Sequence, residues 1–273
     1  MLEGMKKISL LILLLNVSTA HASSALEEAV GFFDWLEKHA KDFATCEPFK
    51  EDGDYILCDK TRVSASELKK MFSMKSEDLL THLKNKGLKV ELVCGEANAK
   101  STLGSKCVNS STDKMFAEVS SLHGKYLPET KTVLIRNSAS PGSLLHEYVH
   151  FQQSENDGKV YGRVYKKSRN EIQAGLVKQM DEKLAVIQEL QETGKATEAK
   201  LHLQEFMIAA DAMRGFAPWQ DLIDERGIFL LYLKFGKEFG ATAADLALAR
   251  KNMGFICKNP KLAKLIPQKQ CKL

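Results

Sequence analysis

The chain lacks a strong charge of either sign: 39 lysines and arginines nearly balance 35 aspartates and glutamates, leaving a formal net charge of +4. No cluster of Lys and Arg interleaved with aromatics is present, which argues against a nucleic-acid surface built on phosphate contacts and base stacking. No Cys-x-x-Cys spacing occurs among the six cysteines, so neither a redox pair nor a zinc knuckle is encoded. Beyond the first 22 residues no apolar run approaches the length of a membrane span. Internal repeats and low-complexity linkers are likewise missing. With 44% hydrophobic and 27% charged residues, what remains has the make-up of a soluble globular protein, not a disordered or fibrous one.

The N-terminus is the first positive feature. Lys6 and Lys7 precede an apolar stretch from Ile8 to Leu15, and small residues follow up to Ala20-His21-Ala22. A basic segment, a short apolar segment and a small-x-small site predict a cleavable export signal, cut after Ala22. Export suits the even number of cysteines, which in an oxidising compartment act as disulfide staples. They fall into three local pairs, predicted as Cys46–Cys58, Cys94–Cys107 and Cys257–Cys271, although six cysteines permit about 15 pairings.

Along the chain the periodicity changes once. Residues 23–139 form a mixed α/β half carrying two of the predicted disulfides. A helix is expected over Ser24 to Ala44, a stapled loop over Cys46 to Cys58, and two short helices starting near Ser64 or Ser66 and at Ser76. Strands are expected at Lys89 to Cys94 and Thr130 to Arg136, with a helix over Thr112 to His123 between them. From Ser140 to the C-terminus long amphipathic segments dominate: 140–153, 167–192, 196–213, 219–239 and 243–253. Gly215 and Pro218 are expected to separate the third from the fourth. The fold class is therefore α+β and mostly helical, a small sheet followed by a helical half, in one continuous unit.

Ser140-Pro141 is a helix start, with a capping hydroxyl before a proline at the first helical position. The helix it opens contains Leu145-His146-Glu147-Tyr148-Val149-His150. Residues four apart share a helix face, so His146 and His150 can offer imidazole nitrogens to one metal ion. Glu147 lies beside the pair, where a general base would reach a water. A third ligand is required. Glu171 opens the next long helix 21 positions after His150; Glu155 and Asp157 lie nearer, within a tight turn's reach. The rival reading of Glu171 is a solvated first-turn acid that complements its helix dipole.

His146-Glu147-x-x-His150, a strand upstream, and Asn170-Glu171-x-x-Ala174 downstream together resemble the gluzincin group of zincins, the thermolysin-like metallopeptidases in the broad sense. The matching stretch runs from about residue 130 to 174. The resemblance implies a zincin-like core with its small sheet beside the histidine helix, and Val133 to Ile135 as the edge strand to which an extended peptide pairs. It implies one zinc ion per chain held by His146, His150 and Glu171, with Glu147 as the base. The expected activity is zinc-dependent hydrolysis of peptide bonds in an exported protein, secreted or periplasmic, acting on a peptide or protein substrate without stable membrane insertion. Two alternatives stand beside it: an inactive zincin-like binding or scaffold protein, and a hydrolase of cell-wall peptide or amide bonds.

An oxyanion formed in such hydrolysis needs a further donor. Tyr161, Arg163 and Tyr165, between the motif and Glu171, are candidates, as is His202 on a later helix. Asp211, Asp221 and Asp224 are candidates for holding the histidines through their free ring nitrogens. The apolar stretch from Ile228 to Leu233 belongs either to the core or to the wall of a substrate cleft.

Overall fold

The structure, a computed structural model, describes residues 24–93, 124–136, 140–160 and 169–272. The predicted export signal, the helix expected at 112–123 and the Cys94–Cys107 pair lie outside the described residues. The chain is α+β and mostly helical.

Helix α1 (Ser24–Thr45) buries Leu26, Ala29, Phe32, Leu36, Ala40 and Ala44, the three- and four-residue recurrence that its sequence carries. The stretch expected as a stapled loop contains more: strands β1 (Phe49–Glu51) and β2 (Asp54–Ile56) form a hairpin across Asp52-Gly53, and β3 (Arg62–Ser64) pairs antiparallel with β2. Strands of three residues are too short to show an alternation, so only the turn was visible in the sequence. The Cys46–Cys58 disulfide closes this small sheet onto the end of α1. Ser64 caps α2 (Ala65–Ser73) by accepting from the Glu67 N–H, and α3 (Ser76–Asn85) follows, ending before Gly87, whose φ is +87°.

A second sheet carries the order β4 (Lys89–Val93), β6 (Thr132–Arg136), β5 (Gly124–Leu127), parallel between β4 and β6 and antiparallel between β6 and β5. Its centre is Val133-Leu134-Ile135, all fully buried. The expectation that these residues form an edge strand is therefore corrected: β6 is central, paired on both sides, and among the described residues the edges are β4 and β5. A run buried on both faces marks a middle strand, whereas the four residues of β5 are all half-buried and carry no alternation to announce a strand.

Helix α4 (Pro141–Val160) packs on this sheet with Leu144, Leu145 and Val149 inward. It runs on through Asp157-Gly158, past the end expected at residue 153. Helices α5 (Arg169–Glu192) and α6 (Ala196–Gln220) form a long antiparallel pair closed by Gly194 at φ +73°. The break expected at Pro218 does not occur. Proline removes one helical hydrogen bond, and the ladder resumes through a wider π turn, Asp221–Glu225, that leads directly into α7 (Arg226–Phe239). Phe216, Trp219, Leu222 and Ile223 are all buried through this junction, so tertiary packing holds the helix where local propensity would end it. Helix α8 (Ala243–Lys258) starts with a capping box of Thr242 and Asp245, and the Cys257–Cys271 disulfide ties its end to the short α9 (Gln268–Cys271). No helix among the described residues is long and apolar enough to cross a membrane.

Candidate metal centre

His146 and His150 project from one face of α4 a turn apart, with ring centroids 4.8 Å apart. Their Nε2 atoms face each other at 3.1 Å. The carboxylate that meets them comes from the π turn: Glu225 Oε2 lies 3.1 Å from His146 Nε2, and Glu225 Oε1 lies 3.1 Å from His150 Nε2. Among the described residues these three are the one His/Cys/Asp/Glu group with donor atoms all within 4.8 Å of one another.

The acid that the structure brings to the two histidines is Glu225, not the Glu171 expected from the sequence. Glu171 is exposed in the first turn of α5, because Ile172 and Leu176, one helical turn apart, are the residues that this helix turns into the core. Its position fits an acid at a helix N-terminus. Glu155 pairs with Lys131 at 2.8 Å on the surface, and the side chain of Asp157 lies outside the described residues.

The donor set suits a tetrahedral ion. Bonds of about 2.0–2.1 Å from zinc to nitrogen and oxygen place ligand atoms roughly 3.3 Å apart; here the two Nε2 atoms stand 3.1 Å apart, each with a different Glu225 oxygen at 3.1 Å. The orientation of His150 suits it as well. Gln153 Nε2 reaches the Asp224 carbonyl at 3.5 Å, so its Oε1 is the atom facing His150 Nδ1, at 2.9 Å. An amide oxygen only accepts, so His150 Nδ1 carries a proton and Nε2 is the nitrogen that faces Glu225 and His146. The His146 ring is held flat against Phe229 on α7, centroids 5.2 Å apart.

His150 and Glu225 shift each other's protonation. Burial opposes charge on His150, but Glu225 beside it outweighs burial and raises the imidazole to about 9. Burial likewise works against the Glu225 charge, and the two histidines overcome it, holding the carboxyl well below its ordinary range. Glu147 differs. It is buried and points toward Gly124 on β5, where a methyl group would stand 2.7 Å from its Oε1. Burial raises its pKa; His146 and His150 and a hydrogen bond with the Tyr126 backbone pull the other way.

A cleft of about 510 Å³ opens over these groups. Gly124, Ser143, His146 and Glu147 line one side, Asp221, Glu225, Phe229 and Tyr232 another, and the α8 face with Leu248, Lys251, Asn252 and Phe255 a third. The apolar stretch from Ile228 thus serves both readings: Ile228 and Leu231 are core, while Phe229 and Tyr232 also face the cleft. Tyr232 donates to the Gly142 carbonyl at 2.8 Å and so holds the start of α4.

The remaining candidates disperse. Tyr161, Arg163 and Tyr165 lie outside the described residues. His202 sits in the α5–α6 pair beside Glu205, which also meets Lys183, and does not line the cleft. Asp211 pairs with Arg214 on the surface. Asp224 offers its backbone carbonyl to Gln153, and Asp221 lines the cleft, its carboxyl raised by burial and by Glu225 against a hydrogen bond with Asn259. Three contributors went unread in the sequence: Glu225, Gln153 and Gly124. One signal did exist for the first: the charged triplet Asp224-Glu225-Arg226 interrupts an otherwise apolar helix, and buried charge in such a setting demands partners. The chain matches no protein-family model, no curated protein and no solved structure.

Proposed function

We propose that the protein is an exported zinc-dependent peptidase in which His146, His150 and Glu225 hold the ion and Glu147 is the general base. The observation that carries this reading is the meeting of two imidazole nitrogens and a carboxylate at 3.1 Å beside a fourth, buried acid. Two histidines and a glutamate are a donor set of hydrolytic zinc sites, which leave a position for water. Zinc, when bound, supplies Lewis acidity to a carbonyl and lowers the pKa of a coordinated water.

The chain's own groups do the rest. Burial raises the Glu147 carboxyl above its ordinary range, the direction that makes a carboxylate a better acceptor for the proton of the attacking water, which it hands to the leaving amine. Gly124 lets the β5 backbone approach that carboxylate with no side chain between them. Among the described residues β5 stands at an edge of the sheet, the position at which an extended peptide pairs, which takes over the role expected of β6. A cleft of this size accommodates a few residues of a peptide. Export is supported by the two disulfides, which persist in oxidising compartments, and by the predicted signal.

The test is metal analysis and peptide hydrolysis by the purified chain. One zinc per chain and cleavage of mixed peptides are expected, with Glu147→Gln keeping the metal and losing turnover. A Glu147→Gln protein that cleaves as fast as the wild type refutes the mechanism.

A further inference from the structure

Next to Glu225 stands Arg226, the largest side chain that the fold buries completely. A buried guanidinium is costly unless its donors are met, and here Nε has no hydrogen-bond partner while both Nη groups are met, mainly at one end of a distant helix. Nη1 donates to the Phe43 carbonyl at 2.9 Å; Nη2 donates to the carbonyls of Ala44 at 2.7 Å and Cys46 at 2.6 Å, and to Gln270 Oε1 at 2.7 Å. Phe43 and Ala44 lie in the last turn of α1, which has no basic residue of its own. The last carbonyls of a helix lack intrahelical partners and favour a cation, and Arg226 supplies it from the far side of the core.

Consecutive helical side chains point in different directions, and here they serve different elements. Glu225 faces the histidines and Arg226 faces the end of α1, from the junction of the π turn and α7. Arg226 fixes where the Glu225 backbone stands, since moving the junction away from the histidines pulls the guanidinium from four acceptors. Both disulfides brace the same anchor, since Cys46 supplies one acceptor and Gln270 precedes Cys271.

We propose that Arg226 is a positioning residue for the metal centre, fixing Glu225 at its ligand position by clamping the π-turn junction to the C-terminus of α1. The proposal rests on the zinc reading above, and its test separates the two. Zinc affinity is measured by chelator competition for the wild type, Arg226→Lys and Arg226→Met, alongside Leu83→Ala, a core truncation on α3 that lowers stability without touching the clamp. Lysine cannot reproduce the planar fork. Both Arg226 variants are expected to lose about 10–100-fold in zinc affinity, the range for residues that orient ligands, while Leu83→Ala binds as the wild type does.

An Arg226→Lys protein that folds and binds zinc at wild-type affinity overturns the proposal, as does an equal loss in Leu83→Ala. If Arg226→Met does not fold, Gln270→Ala, which removes one acceptor, takes its place with a several-fold loss expected; unchanged affinity there counts against the clamp. Should the wild type bind no zinc, the peptidase reading fails, and the imidazole NMR signals of His146 and His150 decide. Signals shifted in Arg226→Lys support the clamp, and unshifted signals refute it.

Discussion

Gly124 and Glu147 leave no room for a methyl group between them: a Cβ on Gly124 would lie 2.7 Å from Glu147 Oε1 and 2.8 Å from its Cγ. Alanine at 124 must therefore push the carboxylate aside or move β5. The metal ligands lie on other residues and stay in place. Gly124→Ala is expected to keep its zinc and lose about 10²-fold in kcat, the scale of a misplacement near 1 Å. Zinc content and kcat measured on the same preparation check it, and wild-type turnover would show that Glu147 does not act from this position.

The two glutamates that compete for the third ligand position separate cleanly by mutation. Glu225 meets both histidines, whereas Glu171 is exposed on α5. Glu225→Ala is expected to weaken zinc binding by more than the roughly 10–100-fold that outer-shell partners cost. Glu171→Ala is expected to leave affinity unchanged and to alter stability by no more than about 1 kcal/mol, the worth of a first-turn acid. Chelator competition on both variants decides, and the reverse ranking would restore Glu171.

The contrast between these residues shows what sequence could and could not convey. His146, Glu147 and His150 are local, because one helical turn brings them together, and the Ser140-Pro141 start announces that helix. The pairing of Cys46 with Cys58 and of Cys257 with Cys271 is local as well, and both bridges are present. Glu225 is not local. It reaches the site because α6 continues past Pro218 and because a π turn re-aims the next residues, and neither event has a periodicity signature. Glu171 stands in the Asn170-Glu171-x-x-Ala174 context that carries the gluzincin resemblance, and a local motif of that kind does not fix which way its side chain points. The order of the second sheet was illegible for the same reason, since β5 and β6 are joined by a turn of a few residues while β4 arrives from much earlier in the chain.

Asp245 joins the starts of α4 and α8. Its Oδ2 accepts from the Thr242 N–H at 2.9 Å and from the Thr242 hydroxyl at 2.7 Å, and its Oδ1 accepts from the Ser140 hydroxyl at 3.0 Å. Ser140 Oγ in turn accepts from the Ser143 N–H, capping the histidine helix. Asp245→Ala breaks one cap and weakens the other, at about 1–2 kcal/mol. That lowers Tm by several degrees in a chain of this size. Calorimetry on Asp245→Ala and on Ser140→Ala measures both, with the smaller effect expected for Ser140, which leaves the Thr242 bonds intact.

Protons and metal compete for the same nitrogens, so stability should depend on pH in opposite senses with and without zinc. His150 has a folded pKa of about 9 against an ordinary 6.5. Its ion pair with Glu225 stabilises the fold fully below about pH 6.5, and the contribution is lost as pH rises through about 9. Glu225 is held well below 4.5, so its own contribution is present above that value and disappears on acidification. In EDTA the wild type should therefore exceed Glu225→Gln in Tm most between about pH 4.5 and 6.5 and progressively less toward pH 9. Zinc requires neutral imidazole, so the Tm gain on adding zinc to the wild type should grow across the interval in which the apo advantage shrinks. Thermal melts of both proteins at pH 6, 7.5 and 9 with EDTA or zinc, values chosen to bracket the two pKa limits, measure the two trends. An EDTA difference that widens toward pH 9 would mean that His150 and Glu225 are not paired in the folded chain.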